Sequence, residues 1–204
     1  MKEKYIEDLQ EIRSIMDRSS KFISLSGLSG ITAGISAILG ALLAYNTVYQ
    51  DQDYLNYRKA VLNVESILQL IIIAVGVLVI SIGSGLYFTK RKAKQVNQQL
   101  WDDRSKRLLI NLLIPLIAGG ILCIILLFKG LIGLAVPITL VFYGLALLNA
   151  SKYTLSEVRS LGIAEILIGL IACQFIGYAL IFWIIGFGIL HIIYGIIMHY
   201  KYDG

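Results

Sequence analysis

Six long runs of apolar residues, separated by charged segments, constrain most strongly what this chain can fold into. A helix needs roughly 20 apolar residues to cross the hydrocarbon core of a bilayer, which is about 30 Å thick. The runs therefore predict an all-α fold, a polytopic membrane helix bundle. Its six transmembrane helices are predicted at 22–44, 66–88, 109–128, 131–149, 161–177 and 179–198.

Composition favours a membrane protein over a soluble one. Apolar residues make up 57% of the chain and charged residues 15%, whereas a soluble domain has roughly 45–50% and 25%. The polar segments at 1–21, 45–65 and 89–107 are each too short to bury a core of their own. We therefore expect one six-helix domain, residues 22–199, followed by a cytoplasmic tail, residues 200–204.

The distribution of positive charge predicts the orientation. The net charge is +5, and the segment between the second and third predicted spans alone holds seven Lys or Arg and two Asp. If the N-terminus is cytoplasmic, 15 of the 18 Lys and Arg lie on the cytoplasmic side, as the positive-inside rule requires. We therefore expect a cell-membrane protein with both termini in the cytoplasm. Charge placed in this way indicates contact with the lipid bilayer and no binding of nucleic acid.

The segment before the first span is predicted to be a cytoplasmic amphipathic helix. Apolar residues recur at helical spacing from Tyr5 to Ile23, which places such a helix over residues 1–21. It can lie on the membrane surface and lead into the first span, or it can dock a cytoplasmic partner. Because five acidic residues balance five basic ones between 1 and 21, its attraction to anionic lipid would be weak.

The first span is crowded with small residues. Ser26, Gly30 and Gly34 recur at every fourth position, and small residues at this spacing let helices approach closely in lipid. The first span is therefore predicted to be a central helix or the face of a dimer. The second interpretation implies a homodimer, or a membrane-protein partner, bound through residues 1–41.

The sequence DRSSKFISLSGLSGITAGISAILGA, residues 17–41, also carries a resemblance. Residues 7–41 are similar to the opening of an uncharacterised family of bacterial multi-pass integral membrane proteins. The resemblance covers about a sixth of the chain. It implies a bacterial inner membrane as the location, and it brings with it no activity, cofactor or site residue.

Glu165 is the one acidic residue inside a predicted span, where a charge costs about 2.5–3.5 kcal/mol if it is central. It precedes Tyr178, near the expected hairpin turn, by 13 residues, and His191 follows that turn by 13. The two side chains are therefore predicted to lie at equal depth on antiparallel neighbours. Small residues beside them predict close packing of the two helices, a ridge with Gly169 and a groove with Gly188 and Gly195.

Two interpretations of this pair stay open. The first is an interhelical hydrogen bond that fixes the hairpin, with the glutamate protonated or the histidine charged. The second is a proton-linked or cation site, because ionisable groups inside membranes often mark such pathways. Four further polar side chains could extend the site: Asn111, Gln174, Tyr143 and Tyr194.

Enzyme is the least favoured class. The chain has no phosphate-binding loop, no H-E-x-x-H, no C-x-x-C and no G-x-S-x-G motif, and with two histidines in all a metal site is not expected. No catalytic residue and no cofactor is predicted. The leading hypothesis is a non-enzymatic subunit or accessory factor that acts through helix packing and cytoplasmic contacts. The alternative is a small transporter or channel, dimeric, with Glu165 and His191 in its ion site.

Overall fold

The computed structural model of the chain describes residues 26–49, 64–95 and 101–202. Within these ranges every regular element is helical, which confirms the predicted all-α helical bundle. The helices are α1 (Gly27–Ala44), α2 (Val64–Gln95), α3 (Asp103–Phe128), α4 (Ile132–Ala150), α5 (Ser156–Gln174), α6 (Ala179–Trp183) and α7 (His191–Tyr202). Short π-helical or 3-10 segments extend or join them: Tyr45–Tyr49, Ser151–Tyr153, Ile176–Tyr178 and Ile184–Leu190.

The described elements form six helical rods. The last rod consists of α6, the π-helical segment Ile184–Leu190 and α7, because the chain is helical throughout this stretch. Five rods are long and apolar enough to cross a membrane, those of α1, α2, α3, α4 and α6–α7. The sixth rod, α5, is less apolar, since its 19 residues include Glu157, Arg159 and Glu165. The predicted amphipathic helix over 1–21 and the start of the first span, 22–25, lie outside the described residues.

Two helices extend beyond the predicted hydrocarbon limits. The second predicted span ends at 88, but α2 continues to Gln95 through lysine, arginine, alanine and glutamine, which form helices readily. The third predicted span begins at 109, but α3 begins at Asp103 because a capping box fixes its start. The Asp102 carboxylate accepts a hydrogen bond from the Ser105 amide (2.8 Å), and the Ser105 hydroxyl accepts one from the Asp102 amide (3.0 Å).

Helix α1 lies between α2 and α7, and its small residues are used on both sides. Toward α2, the Ser36 and Ser81 hydroxyls are 2.9 Å apart, and Thr32 donates to Ser84 at 3.0 Å. Toward the last rod, a Cβ added at Gly34 would lie 2.6 Å from the carbonyl oxygen of Gly188. The small-residue stripe of α1 therefore packs within the chain, which gives this helix a central position.

The glycines near the predicted pair have different partners from those expected. Gly188 and Gly195 were expected to receive the ridge of Glu165 and Gly169. Instead they pack against α1, while Gly169 packs against the backbone of Val141 on α4. The physical reason is that a groove of glycines can pack closely against the backbone of any helix. Glycines in a sequence therefore predict a close contact, but not which helix makes it.

Helices α4 and α5 make the closest contact in the second half of the bundle. A Cβ at Gly144 would lie 2.5 Å from the carbonyl oxygen of Gly162, and one at Gly162 would lie 2.8 Å from that of Gly144. On the other side of α4, the thiol of Cys123 on α3 donates to the carbonyl of Ala135 at 3.4 Å. Helix α4 is therefore in close contact with both α5 and α3.

Helices α2 and α3 lie at the periphery. In the most apolar 18-residue stretch of each helix, 6% of the residues of α2 and 11% of those of α3 are buried. The corresponding share is 44% for α1 and for α4. In a soluble protein such long uncovered apolar faces would cause aggregation. A lipid environment is the solvent that suits them.

A polar cluster, Glu157 with Lys92, Lys201 and Tyr202, ties three helices together at one end of the bundle. Lys201 and the Tyr202 hydroxyl (3.0 Å) both donate to the same carboxylate oxygen of Glu157. The Lys92 ammonium lies 5.7 Å from the centre of the Tyr202 ring. Burial by itself would raise the pKa of Glu157, but the hydrogen bonds from Lys201, from its own backbone and from Tyr202 outweigh it and lower this pKa.

The lowered pKa of Glu157 predicts an acid-sensitive contribution to stability. A carboxyl whose folded pKa is depressed stabilises the fold above its unfolded pKa, about 4.3, and loses that contribution as the pH falls through the folded pKa. We expect the melting temperature to fall on acidification through this range, and to fall less in Glu157→Gln. The control for loss of a carboxyl group is Glu65→Gln, at the exposed start of α2. Equal acid dependence of wild type and Glu157→Gln would contradict the prediction.

Candidate functional site

Glu165 lies sealed in the interior, on the face of α5 that meets α4 and the last rod. Its side chain has 0% exposure, and neither carboxylate oxygen has a hydrogen-bond partner among the described residues. Close backbone approach at Gly186 makes room for it. A Cβ at Gly186 would lie 2.5 Å both from Oε2 of Glu165 and from a methyl group of Leu140. Only glycine lets the carboxyl group fit here without displacement.

His191 is the polar neighbour of this carboxyl group. Its Nδ1 lies 3.4 Å from Oε1 of Glu165 and 3.1 Å from the carbonyl oxygen of Gly186. Its Nε2 lies 2.8 Å from the hydroxyl oxygen of Tyr143 on α4. The imidazole is 6% exposed. The structure thus brings the predicted pair into contact and adds Tyr143, so that three helical rods contribute one polar group each.

The π-helical segment Ile184–Leu190 ends directly before His191 and supplies the carbonyl that its side chain contacts. The His191 amide donates to the Gly188 carbonyl, whereas the Gly186 carbonyl lies against Nδ1 of the His191 ring. The segment reads I-I-G-F-G-I-L, and its two glycines allow close contact on both sides, Gly186 with Glu165 and Gly188 with Ile38 of α1. Such interruptions of an α-helix are frequent at functional sites.

The hydrogen-bond partners assign the protons of the imidazole. The Gly186 carbonyl can only accept, so the Nδ1 atom that contacts it carries a hydrogen in either charge state of the ring. The charge of the ring then depends on Nε2. A neutral ring accepts a hydrogen bond from the Tyr143 hydroxyl at this atom, and a charged ring donates one to it.

Two aromatic rings lie beside the imidazole, those of Tyr143 and Phe187, with centroids 5.3 and 5.9 Å from that of His191. The Phe187 ring lies 5.0 Å from the Tyr143 ring and 4.9 Å from the Trp183 ring, measured between centroids. The Trp183 indole donates to Thr139 on α4 at 3.1 Å, which fixes this wall between the last rod and α4. The wall keeps the polar pair in a dry environment, where an unpaired charge is costly.

The other predicted site residues lie elsewhere. Asn111 donates to the Arg107 carbonyl of its own helix (2.8 Å) and accepts from Asn149 through its backbone oxygen (2.9 Å), so it joins α3 to α4. Gln174 is exposed at the end of α5, about 13 Å along the helix from Glu165. Tyr194 packs against an apolar cluster, the buried side chains of Leu147, Val158 and Leu161. None of the three contacts the carboxyl group.

Gly186 and the π-helical segment were not predicted as parts of the site. The one signal in the sequence was the pair of glycines, Gly186 and Gly188, shortly before His191. In the described part of the chain, no three His, Cys, Asp or Glu side chains come together as they would to hold a metal ion. What the arrangement can do chemically is hold a proton on a carboxyl group beside an imidazole.

Comparisons with models of protein families, with curated proteins and with solved structures found no match for this chain, so no residue of the site takes a role from a relative.

Proposed function

We propose that this chain is a multi-pass protein of a bacterial cytoplasmic membrane and works as a non-enzymatic subunit or accessory factor, through helix packing and cytoplasmic contacts. One observation carries the proposal. The polar groups in the centre of the bundle are closed to solvent, with Glu165 fully buried and His191 nearly so. An enzyme site or a conducting pathway has to be reached by its substrate, whereas a packed interior suits a protein that acts by contact.

The orientation we propose has both termini in the cytoplasm. The cluster at Glu157 places the basic end of α2, the start of α5 and the end of α7 together, so several of the cations share one end of the bundle. That arrangement favours the cytoplasmic side for this end.

Reporter fusions test the orientation. Reporters attached after Lys94, Lys152 and Gly204 should be active as cytoplasmic fusions, and one attached after Lys129 as an external fusion, because the intervening helices alternate in direction. A reporter after Gly204 that is active outside would exclude the six-span topology.

The partner we propose is a second copy or another membrane protein, bound through residues 1–41. The glycines of α1 are occupied within the chain, so the described residues of this segment that face outward are larger, among them Leu39, which is 57% exposed. A photo-crosslinking residue at Leu39 in native membranes should capture a protein neighbour. The matched control is Ile121 on α3, which is 55% exposed and outside the segment. Equal capture from both positions, or none from Leu39, would contradict the proposal.

A second candidate function is a small proton- or cation-linked transporter or channel, dimeric, with its ion site at Glu165 and His191. The observation that favours it is the carboxyl group itself, which is buried beside an imidazole and has no hydrogen-bond partner among the described residues. Ionisable groups kept inside a membrane in this way often serve ion movement. Glu165→Gln should abolish such a function while the fold is retained, because an amide cannot titrate.

A further inference from the structure

We propose that the ion held at this site is a single proton, carried by Glu165 as a carboxylic acid beside a neutral His191, and that the site does not take a metal cation. The inference rests on the second candidate function and specifies which ion that function would use.

The surroundings of the carboxyl group exclude a metal cation. Metal cations such as calcium need six to eight oxygen ligands, and magnesium needs six. One side of the Glu165 carboxyl is filled by the backbone of Gly186, where even a Cβ would be 2.5 Å from Oε2. On the other side lies Nδ1 of His191, whose hydrogen is fixed by its contact with the Gly186 carbonyl. A cation bound to the carboxylate would face this N–H group, and the two oxygens beside the imidazole, the Gly186 carbonyl and the Tyr143 hydroxyl, already contact its ring nitrogens.

Within the described ranges, no permanent positive charge faces the carboxyl group either. Helix α4 contributes the ionisable group of Tyr143, and α7 contributes that of His191; Tyr194 of α7 lies farther away, against the apolar cluster of Leu147, Val158 and Leu161. Helix α1 carries no ionisable side chain, and neither does the part of the last rod that precedes α7, residues 179–190. On α5 itself, Arg159, Glu157 and Cys173 are six or more residues from Glu165, about 9 Å or more along the axis. Among the described residues, an ionised Glu165 would therefore have a charged His191 as its only counterion.

The geometry favours the neutral pair over the ion pair. An ion pair in this interior would have one contact of 3.4 Å between Nδ1 and Oε1, and no other described residue donates to the carboxylate. A buried pair is favourable only when its geometry is good and its remaining lone pairs are satisfied. In the neutral pair, Nδ1–H donates to the Gly186 carbonyl and Nε2 accepts from Tyr143, so both ring nitrogens are satisfied. A protonated carboxyl group also demands fewer donors than a carboxylate does. The proton therefore resides on Glu165.

Infrared spectroscopy of the full chain in lipid nanodiscs tests the inference. At neutral pH the wild type should show the carbonyl stretch of a protonated carboxylic acid. Glu165→Gln should lose this band, and Glu157→Gln, with its substitution on the same helix outside the site, should keep it. Addition of NaCl or CaCl2 at constant pH should leave the band unchanged, because a metal cation would have to displace the proton.

Nitrogen NMR of the imidazole provides a second measurement that does not depend on a Glu165 variant. His199→Gln leaves His191 as the single histidine, and its ring should be neutral with the hydrogen on Nδ1. A ring protonated on both nitrogens, or an acid band that is the same in wild type and folded Glu165→Gln, would overturn the inference. Loss of the band on addition of a metal salt would also overturn it, but would leave a cation-linked function standing. Failure of the proposed partner contact would appear in the crosslinking at Leu39 and would leave both spectra unaffected.

Discussion

Gly195→Ala is expected to lower the free energy of unfolding by about 1–3 kcal/mol, the usual cost of overpacking a close contact. A Cβ at this position would lie 2.6 Å from both the carbonyl oxygen of Gly27 and the amide nitrogen of Ile31. These are backbone atoms of α1, which cannot rotate away as a side chain can. The two helices would have to separate along their contact, and close packing is what holds helices together in lipid. Unfolding of the purified protein in mixed detergent measures the effect.

Gly83→Ala on α2 is the matched control. A Cβ at Gly83 meets nothing within 4 Å, so the added methyl group costs no packing, and alanine favours a helix over glycine by about 0.5–1 kcal/mol. The two variants should therefore shift stability in opposite directions. If Gly195→Ala is as stable as Gly83→Ala, the contact between α1 and α7 is not a close one.

The helical class of this chain could be predicted from its sequence because apolar run length and helix rise are directly related. Each residue advances a helix by about 1.5 Å, so counting from the turn near Tyr178 also placed Glu165 and His191 at a common depth. In the structure, Nδ1 of His191 lies 3.4 Å from Oε1 of Glu165. The same arithmetic has no information about rotation around the helix axis. It therefore left open which helix each glycine would meet, and Gly195 packs against α1 and not against α5.

The local geometry of the site was less predictable. The π-helical segment Ile184–Leu190 depends on where backbone hydrogen bonds shift from one carbonyl to the next, and that shift depends on contacts made by both sides of the rod. The hydrophobic pattern of the sequence does not predict this shift. Tyr143 was one of two tyrosines named as possible extensions of the pair, and only the packing of α4 against the last rod distinguishes it from Tyr194.

Glu165→Ala is expected to lower the free energy of unfolding by about 2–5 kcal/mol, the range for truncating a buried leucine, isoleucine or methionine, which are similar in size to glutamate, to alanine. The Glu165 side chain is fully buried, so its loss leaves a cavity between α5, α4 and Gly186, and it also removes the neighbour of His191. Glu165→Gln keeps the shape of a protonated carboxyl group. We therefore expect its stability to lie within about 1 kcal/mol of the wild type, since isosteric replacements of neutral groups are tolerated best.

Measuring stability and proton movement on the same two variants separates the two candidate functions. Proteoliposomes with an entrapped pH-sensitive dye report proton flux, and Glu157→Gln serves as the control for substitution of a glutamate on α5. A subunit that acts by packing predicts that Glu165→Gln changes neither stability nor flux. A proton-linked protein predicts normal stability and no flux, because the amide cannot give up a proton. If Glu165→Gln is instead destabilised as strongly as Glu165→Ala, an uncharged amide does not replace the carboxyl group, and the neutral-acid assignment loses its support, because an ionised carboxylate or unsatisfied amide N–H groups would then explain the loss.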